Sequence, residues 1–62
     1  MSVSIKGVTA KRSTDKALLV VIAEEEMWIP HSQIEDASEV YDEGHSGTLV
    51  ISDWIAEKKD LI

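Results

Sequence analysis

A lone proline sets the strongest limit on how this chain can fold. Pro30 lies in the run Trp28-Ile29-Pro30-His31-Ser32-Gln33-Ile34, and it is the only proline among 62 residues. It has no N–H to give a sheet ladder and its φ is fixed, so a central strand should end there. Ile29 precedes it and is biased towards extended backbone. Ser32 and Gln33 offer side chains that can hydrogen-bond locally in a tight turn. Ile34 then returns to the apolar interior. The run therefore reads as a strand end, a polar corner and a re-entry, with the rest of the chain arranged about it.

Before the corner, residues 2–10 alternate at Val3, Ile5 and Gly7, then shift phase to Val8 and Ala10. Period-two alternation is the signal of a half-buried strand, and the slip at Gly7 predicts a bulge or sharp bend. Residues 11–15 are polar and read as a loop. Residues 16–23 are apolar on both faces, and Val20, Val21 and Ile22 favour strand over helix. Such a strand is expected at the centre, covered on both sides. Glu24, Glu25 and Glu26 link it to Met27-Trp28-Ile29 as a hairpin whose repelling acids favour an exposed tip.

After the corner, residues 35–38 are acidic and turn-like, and Glu39-Val40-Tyr41 is a short strand candidate. Residues 42–47 form a loop whose two glycines can supply positive φ, leading into a strand at 48–51. Ser52 or Asp53 fits a helix N-cap. Asp53 in the first turn and Lys58 and Lys59 near the last match the helix dipole. Trp54, Ile55, Lys58, Leu61 and Ile62 share one face at helical spacing, which would close one end of the sheet. The expected fold is one domain over residues 1–62, mainly β with one C-terminal helix. A small, strongly bent antiparallel sheet of about five strands, an SH3- or OB-like half-barrel, is the simplest solution.

Twelve acids against six bases give a net charge of −6. That balance argues against nonspecific nucleic-acid binding and against anionic membranes. It suits solubility, and it permits a basic protein partner. The absence of cysteine removes disulfides, thiolate catalysis and thiolate zinc sites, and fits a reducing cytoplasm. The apolar run 17–23 is too short to span a bilayer and has no basic leader, so neither a membrane span nor a signal peptide is expected. A chain this small without such staples often gains stability by oligomerising.

Catalytic chemistry is thin. His31 and His45 are not spaced as a metal pair, and residues 42–47 lack the acid spacing of a calcium loop, so no metal site is expected. His45 and Ser46 are neighbours in sequence, which seldom lets two side chains point at each other. Carboxylates in exposed turns keep ordinary pKa values and make poor general acids at neutral pH. No phosphate-cradling glycine loop is present. No catalytic residue and no cofactor is assigned, and a non-enzymatic protein is expected. Binding is the stronger reading. Trp28, Tyr41 and Trp54 are the only aromatics. The ordinary place for each is the core, with Trp54 put there by its helix face. The alternative is an exposed anchor at an interface. Candidate binding residues are Trp28, His31, Ser32, Gln33 and Tyr41, with Lys11 and Arg12 as the densest basic spot outside the C-terminus.

Five segments, Lys16-Ala-Leu-Leu-Val, Trp28-Ile-Pro-His-Ser-Gln-Ile, Ser38-Glu-Val-Tyr, Gly47-Thr-Leu-Val-Ile and Trp54-Ile-Ala-Glu-Lys-Lys, occur in that order. Together they resemble a group of short uncharacterised proteins encoded by bacteriophages and prophages, over roughly residues 16–61. The group often has lysine where His31 stands and a hairpin glycine where Glu24 or Glu25 stands. The resemblance implies a viral setting in a host cytoplasm and carries no activity with it. The expectation is a small binding protein that inhibits or redirects a host protein, in a counter-defence role. Two alternatives stand beside it. One is a homo-oligomer that sequesters an anionic small molecule such as a signalling nucleotide, through Lys11, Arg12, Lys16, His31, Ser32 and Gln33. The other is a structural or replication accessory.

Overall fold

A computed structural model describes residues 2–61. Four antiparallel strands, β1 (Ser2–Ser13), β2 (Ala17–Ile22), β3 (Glu25–Pro30) and β4 (Ser46–Ser52), form one sheet in the order β3-β2-β1-β4. A 3-10 turn, His31–Gln33, follows β3, and helix α1 (Asp53–Lys58) follows β4. The chain is thus mainly β, a small open half-barrel ending in one helix. Glu39-Val40-Tyr41 is not a strand, so the sheet has four rather than five.

The long first strand makes the curvature. Its N-terminal part pairs with β4 and its C-terminal part with β2, and Thr9 pairs with both. The register slips between Ile5 and Val8, where Gly7 has φ +73°, as the phase shift at Gly7 predicts. A second slip lies between Ala10 and Arg12. The sequence reading places a loop from residue 11, but the strand runs on to Ser13. The polar residues there bulge and stay in the ladder, because β2 offers a partner as far as Leu18.

Among the described residues eleven aliphatic side chains form the core, including Val8, Leu18, Val20, Ile29, Val40, Leu49, Ile51 and Ile55. Strand β2 alternates between buried and half-buried positions, so only one of its faces is covered. The expectation of a strand covered on both sides is therefore corrected. Among the described residues no second layer lies over the outer residues Ala17, Leu19 and Val21, because the helix packs on β4 and β1. Three consecutive buried residues, Leu49, Val50 and Ile51, occur instead in β4.

Pro30 ends a strand, as expected, but that strand lies at the sheet edge. The His31 N–H donates to the Lys16 carbonyl at 2.9 Å. By antiparallel alternation, residue 30 then points its backbone away from β2, where a missing donor costs the ladder nothing. The β2–β3 turn is Ala23-Glu24, with φ of 52° and 70°, one residue earlier than the centre of the acidic run. Two central residues at positive φ match the handedness of a two-residue hairpin.

Past the corner, residues 34–40 act as a substitute strand along β4. Ile34 bridges Ile51, the Glu35 N–H donates to the Val50 carbonyl, and the Glu39 N–H donates to the Thr48 carbonyl. Two side chains complete the edge. Ser38 Oγ accepts from the Val50 N–H at 3.0 Å, and Glu39 Oε1 accepts from the Thr48 N–H at 2.9 Å. This edge needs no fifth strand because side chains replace its ladder bonds.

Helix α1 starts on Ser52, whose Oγ accepts from the Ile55 N–H. It ends with Asp60 at φ 57°, with the Leu61 N–H donating to the Ala56 carbonyl and the Asp60 N–H to that of Glu57. This is the left-handed helix end that commonly carries glycine. Ile55 and Ala56 are buried and Leu61 packs against the core. Trp54 is 52% exposed, against the expectation that it fills the core. At six residues the helix has room for only Ile55 and Ala56 to face inward, and Trp54 precedes that stripe. Ile62, assigned to the same face, lies outside the described residues.

Candidate functional site

The corner built on Pro30 is braced on two sides. His31 Nε2 lies 2.9 Å from the Thr14 carbonyl oxygen and 3.3 Å from Ser13 Oγ. A carbonyl can only accept, so the proton sits on Nε2. The ring thereby ties the corner to the β1–β2 connection. Ser52 Oγ donates to Gln33 Oε1, which ties the corner to the helix cap. Of the candidate binding residues here, His31 and Gln33 are half-buried and engaged within the chain, and Ser32 is exposed. The polar character of this run follows in part from what it must hold together.

Five of the candidate residues line two separate open grooves, while Ser32 and Gln33 line neither. One is lined by His31, Ile34, Glu35, Asp36 and Tyr41. Tyr41 is 58% exposed, and its ring meets that of His45 edge-on, with centroids 4.5 Å apart. The Tyr41 N–H also reaches His45 Nδ1 at 3.5 Å. His45 thus packs against the Tyr41 ring at the edge of this groove. The groove offers an apolar residue, Ile34, with two carboxylates and a phenol around it. That is the chemistry to take an arginine or lysine side chain: carboxylates for the charge, and aromatic and apolar surface for the alkyl stem.

The other groove is lined by Lys11, Arg12, Ser13, Thr14, Trp28 and Glu43. The fold thus brings together Lys11, Arg12 and Trp28, which stand far apart in sequence. Arg12, Leu19 and Trp28 lie in one row across β1, β2 and β3. Lys11 Nζ donates to Glu26 Oε2 at 2.8 Å across the same face. That hydrogen bond, with the lysine charge behind it, holds the Glu26 carboxyl below its usual pKa. Both partners are more than half exposed, so the pair adds little to stability. Trp28 is 43% exposed. The basic pair is readable in the sequence as a pair; its meeting with Trp28 depends on register, which hydrophobic pattern alone does not set.

Among the described residues no group of three or more potential ligands could hold a metal ion. No helix there is long and apolar enough to cross a membrane. Ser38 is a residue that the sequence reading passed over as part of a turn. No family model matches this chain, and no curated protein or solved structure is significantly similar to it.

Proposed function

We propose that this chain is a non-enzymatic binding protein that grips a basic segment of another protein through the Tyr41 groove, and so inhibits or redirects it. In the viral setting that the sequence resemblance implies, the target is a host protein and the role is counter-defence. One observation carries the reading. All three aromatic side chains are about half exposed, between 43% and 58%, and stand outside a core that among the described residues is aliphatic. A domain this small gives up a large amount of burial by keeping its tryptophans and tyrosine outside. Surface aromatics beside carboxylates are instead the residues that anchor interfaces, and a net charge of −6 steers association with a basic partner.

The test is affinity capture from a host lysate with the native chain, beside Tyr41→Ala and the double variant Glu35→Lys, Asp36→Lys. The native chain is expected to retain a specific protein that both variants lose. Truncating a central aromatic anchor weakens binding by roughly 30-fold or more. Capture of the same protein by all three chains would remove the groove from the account.

A second reading, sequestration of an anionic small molecule by a homo-oligomer, is favoured by the convergence of Lys11, Arg12, Ser13, Thr14 and Trp28. It requires more than one subunit, so a chain that stays monomeric at every concentration would end it.

A further inference from the structure

We infer that the cation taken by the Tyr41 groove is an arginine side chain of the partner, held in part by His31 Nδ1, so that acidification releases it. This rests on the groove being the binding surface proposed above, and it adds which residue is gripped and what lets it go.

The tautomer of His31 is the starting point. Nε2 carries the proton, because it lies 2.9 Å from the Thr14 carbonyl oxygen, which can only accept. In the neutral ring Nδ1 is then a bare acceptor. Among the described residues Nδ1 has no hydrogen-bond partner and no buried side-chain nitrogen is left unpaired, so Nδ1 opens to solvent. The groove is the open surface that His31 lines. Glu35 and Asp36 add two carboxylates to it, both exposed and neither in an ion pair among the described residues. The backbone at Glu35 is fixed: its N–H donates to the Val50 carbonyl at 2.8 Å, and its carbonyl accepts from the Ser38 N–H at 3.0 Å. Apart from the Tyr41 O–H, the polar side-chain atoms of the groove are all acceptors. A guanidinium has five donors and no acceptor, in a planar fork that reaches separate acceptors and stacks on an aromatic ring. A lysine ammonium presents its donors from one strongly hydrated point and lacks the flat face.

Acid acts on this arrangement through His31. Around its ring stand the Thr14 carbonyl and the Ser13 hydroxyl on the β1–β2 side, with Glu35, Asp36 and Tyr41 along the groove. The Lys16 carbonyl takes its backbone N–H. Since Nε2 is already protonated, a second proton goes to Nδ1. It turns the acceptor into a donor and adds a positive charge to the groove, and both changes oppose a guanidinium. The bond to Thr14 survives, so the corner keeps its brace. His45 packs on Tyr41 outside the groove lining, with Nδ1 accepting from the Tyr41 N–H, so its protonation acts only indirectly.

The test is an NMR titration of the chain with millimolar N-acetyl-arginine amide and N-acetyl-lysine amide. It is run at about pH 7.5 and at about pH 5.5, where imidazoles in general charge and carboxylates stay ionised. At the higher pH the arginine probe should bind roughly fivefold or more tightly than the lysine probe, with shifts at Ile34, Glu35, Asp36 and Tyr41. At the lower pH its affinity should fall roughly tenfold, about the worth of one charge-assisted hydrogen bond. His31→Gln, whose amide can still donate to Thr14 but does not titrate, should lose most of that pH dependence, and His45→Gln should keep most of it. The native comparison decides by itself whatever the stability of the variants. Probes that bind alike, native binding indifferent to pH, or a full pH effect in folded His31→Gln overturns the inference and leaves the groove as a binding surface. No shift with either probe at either pH overturns it together with the groove.

Discussion

Replacing Ser38 with alanine is expected to remove much of the stability of this fold. Ser38 is buried, and its hydroxyl does the work of a strand. It donates to the Val40 carbonyl at 2.8 Å and accepts from the Val40 and Val50 N–H groups at 3.2 and 3.0 Å. Alanine leaves both N–H groups without an acceptor in the interior. At about 1–3 kcal/mol for each of the two buried unsatisfied groups, the loss is about 2–6 kcal/mol. A small unstapled domain holds only about 3–5 kcal/mol in total. The urea midpoint should therefore fall steeply while the slope of the transition stays the same. An unchanged midpoint would mean that the β4 edge is satisfied in some other way.

Gly47→Ala should cost a similar amount for a different reason. Gly47 has φ +134°, a conformation that side-chain-bearing residues rarely adopt. A Cβ there would also lie 2.7 Å from Glu39 Oε1, the oxygen that accepts the Thr48 N–H. Backbone strain and the displaced carboxylate together give about 2–4 kcal/mol. Gly44→Ala is the control. Its φ is +87°, but nothing lies within 4 Å of the added carbon, so only the backbone cost applies. Thermal unfolding should rank native, Gly44→Ala and Gly47→Ala in falling order. If the two variants melt together, Glu39 does not hold the edge at this point.

Much of the fold is legible in the sequence because hydrophobic period and turn chemistry act locally. The bend at Gly7 shows as a phase slip. The Ser52 cap and the charges of the helix show as residue types at fixed spacing. Pro30 marks a strand end whatever lies around it. Other features depend on distant partners. Residues 11–13 look like a loop until β2 is laid beside them. Glu39-Val40-Tyr41 looks like a strand because Val40 is buried, yet the neighbouring ladder bonds are made by the side chains of Ser38 and Glu39. Trp54 fits the apolar helix face by spacing, but the shortness of the helix turns it outward. Of the candidate site, the residue types are visible and the grouping is not. Register brings Lys11 and Arg12 to Trp28, and the substitute strand carries Tyr41 round to Glu35 and Asp36.

Both functional readings depend on aromatic side chains that stand outside an aliphatic core. The most direct measurement is acrylamide quenching of tryptophan fluorescence in Trp28→Phe and Trp54→Phe, each leaving one tryptophan, with the folded chain diluted until it is monomeric. The account predicts red-shifted emission and ready quenching from both remaining tryptophans, each about half exposed. Blue emission that resists quenching in the dilute folded chain, from either tryptophan, would place that ring in the core and contradict the account.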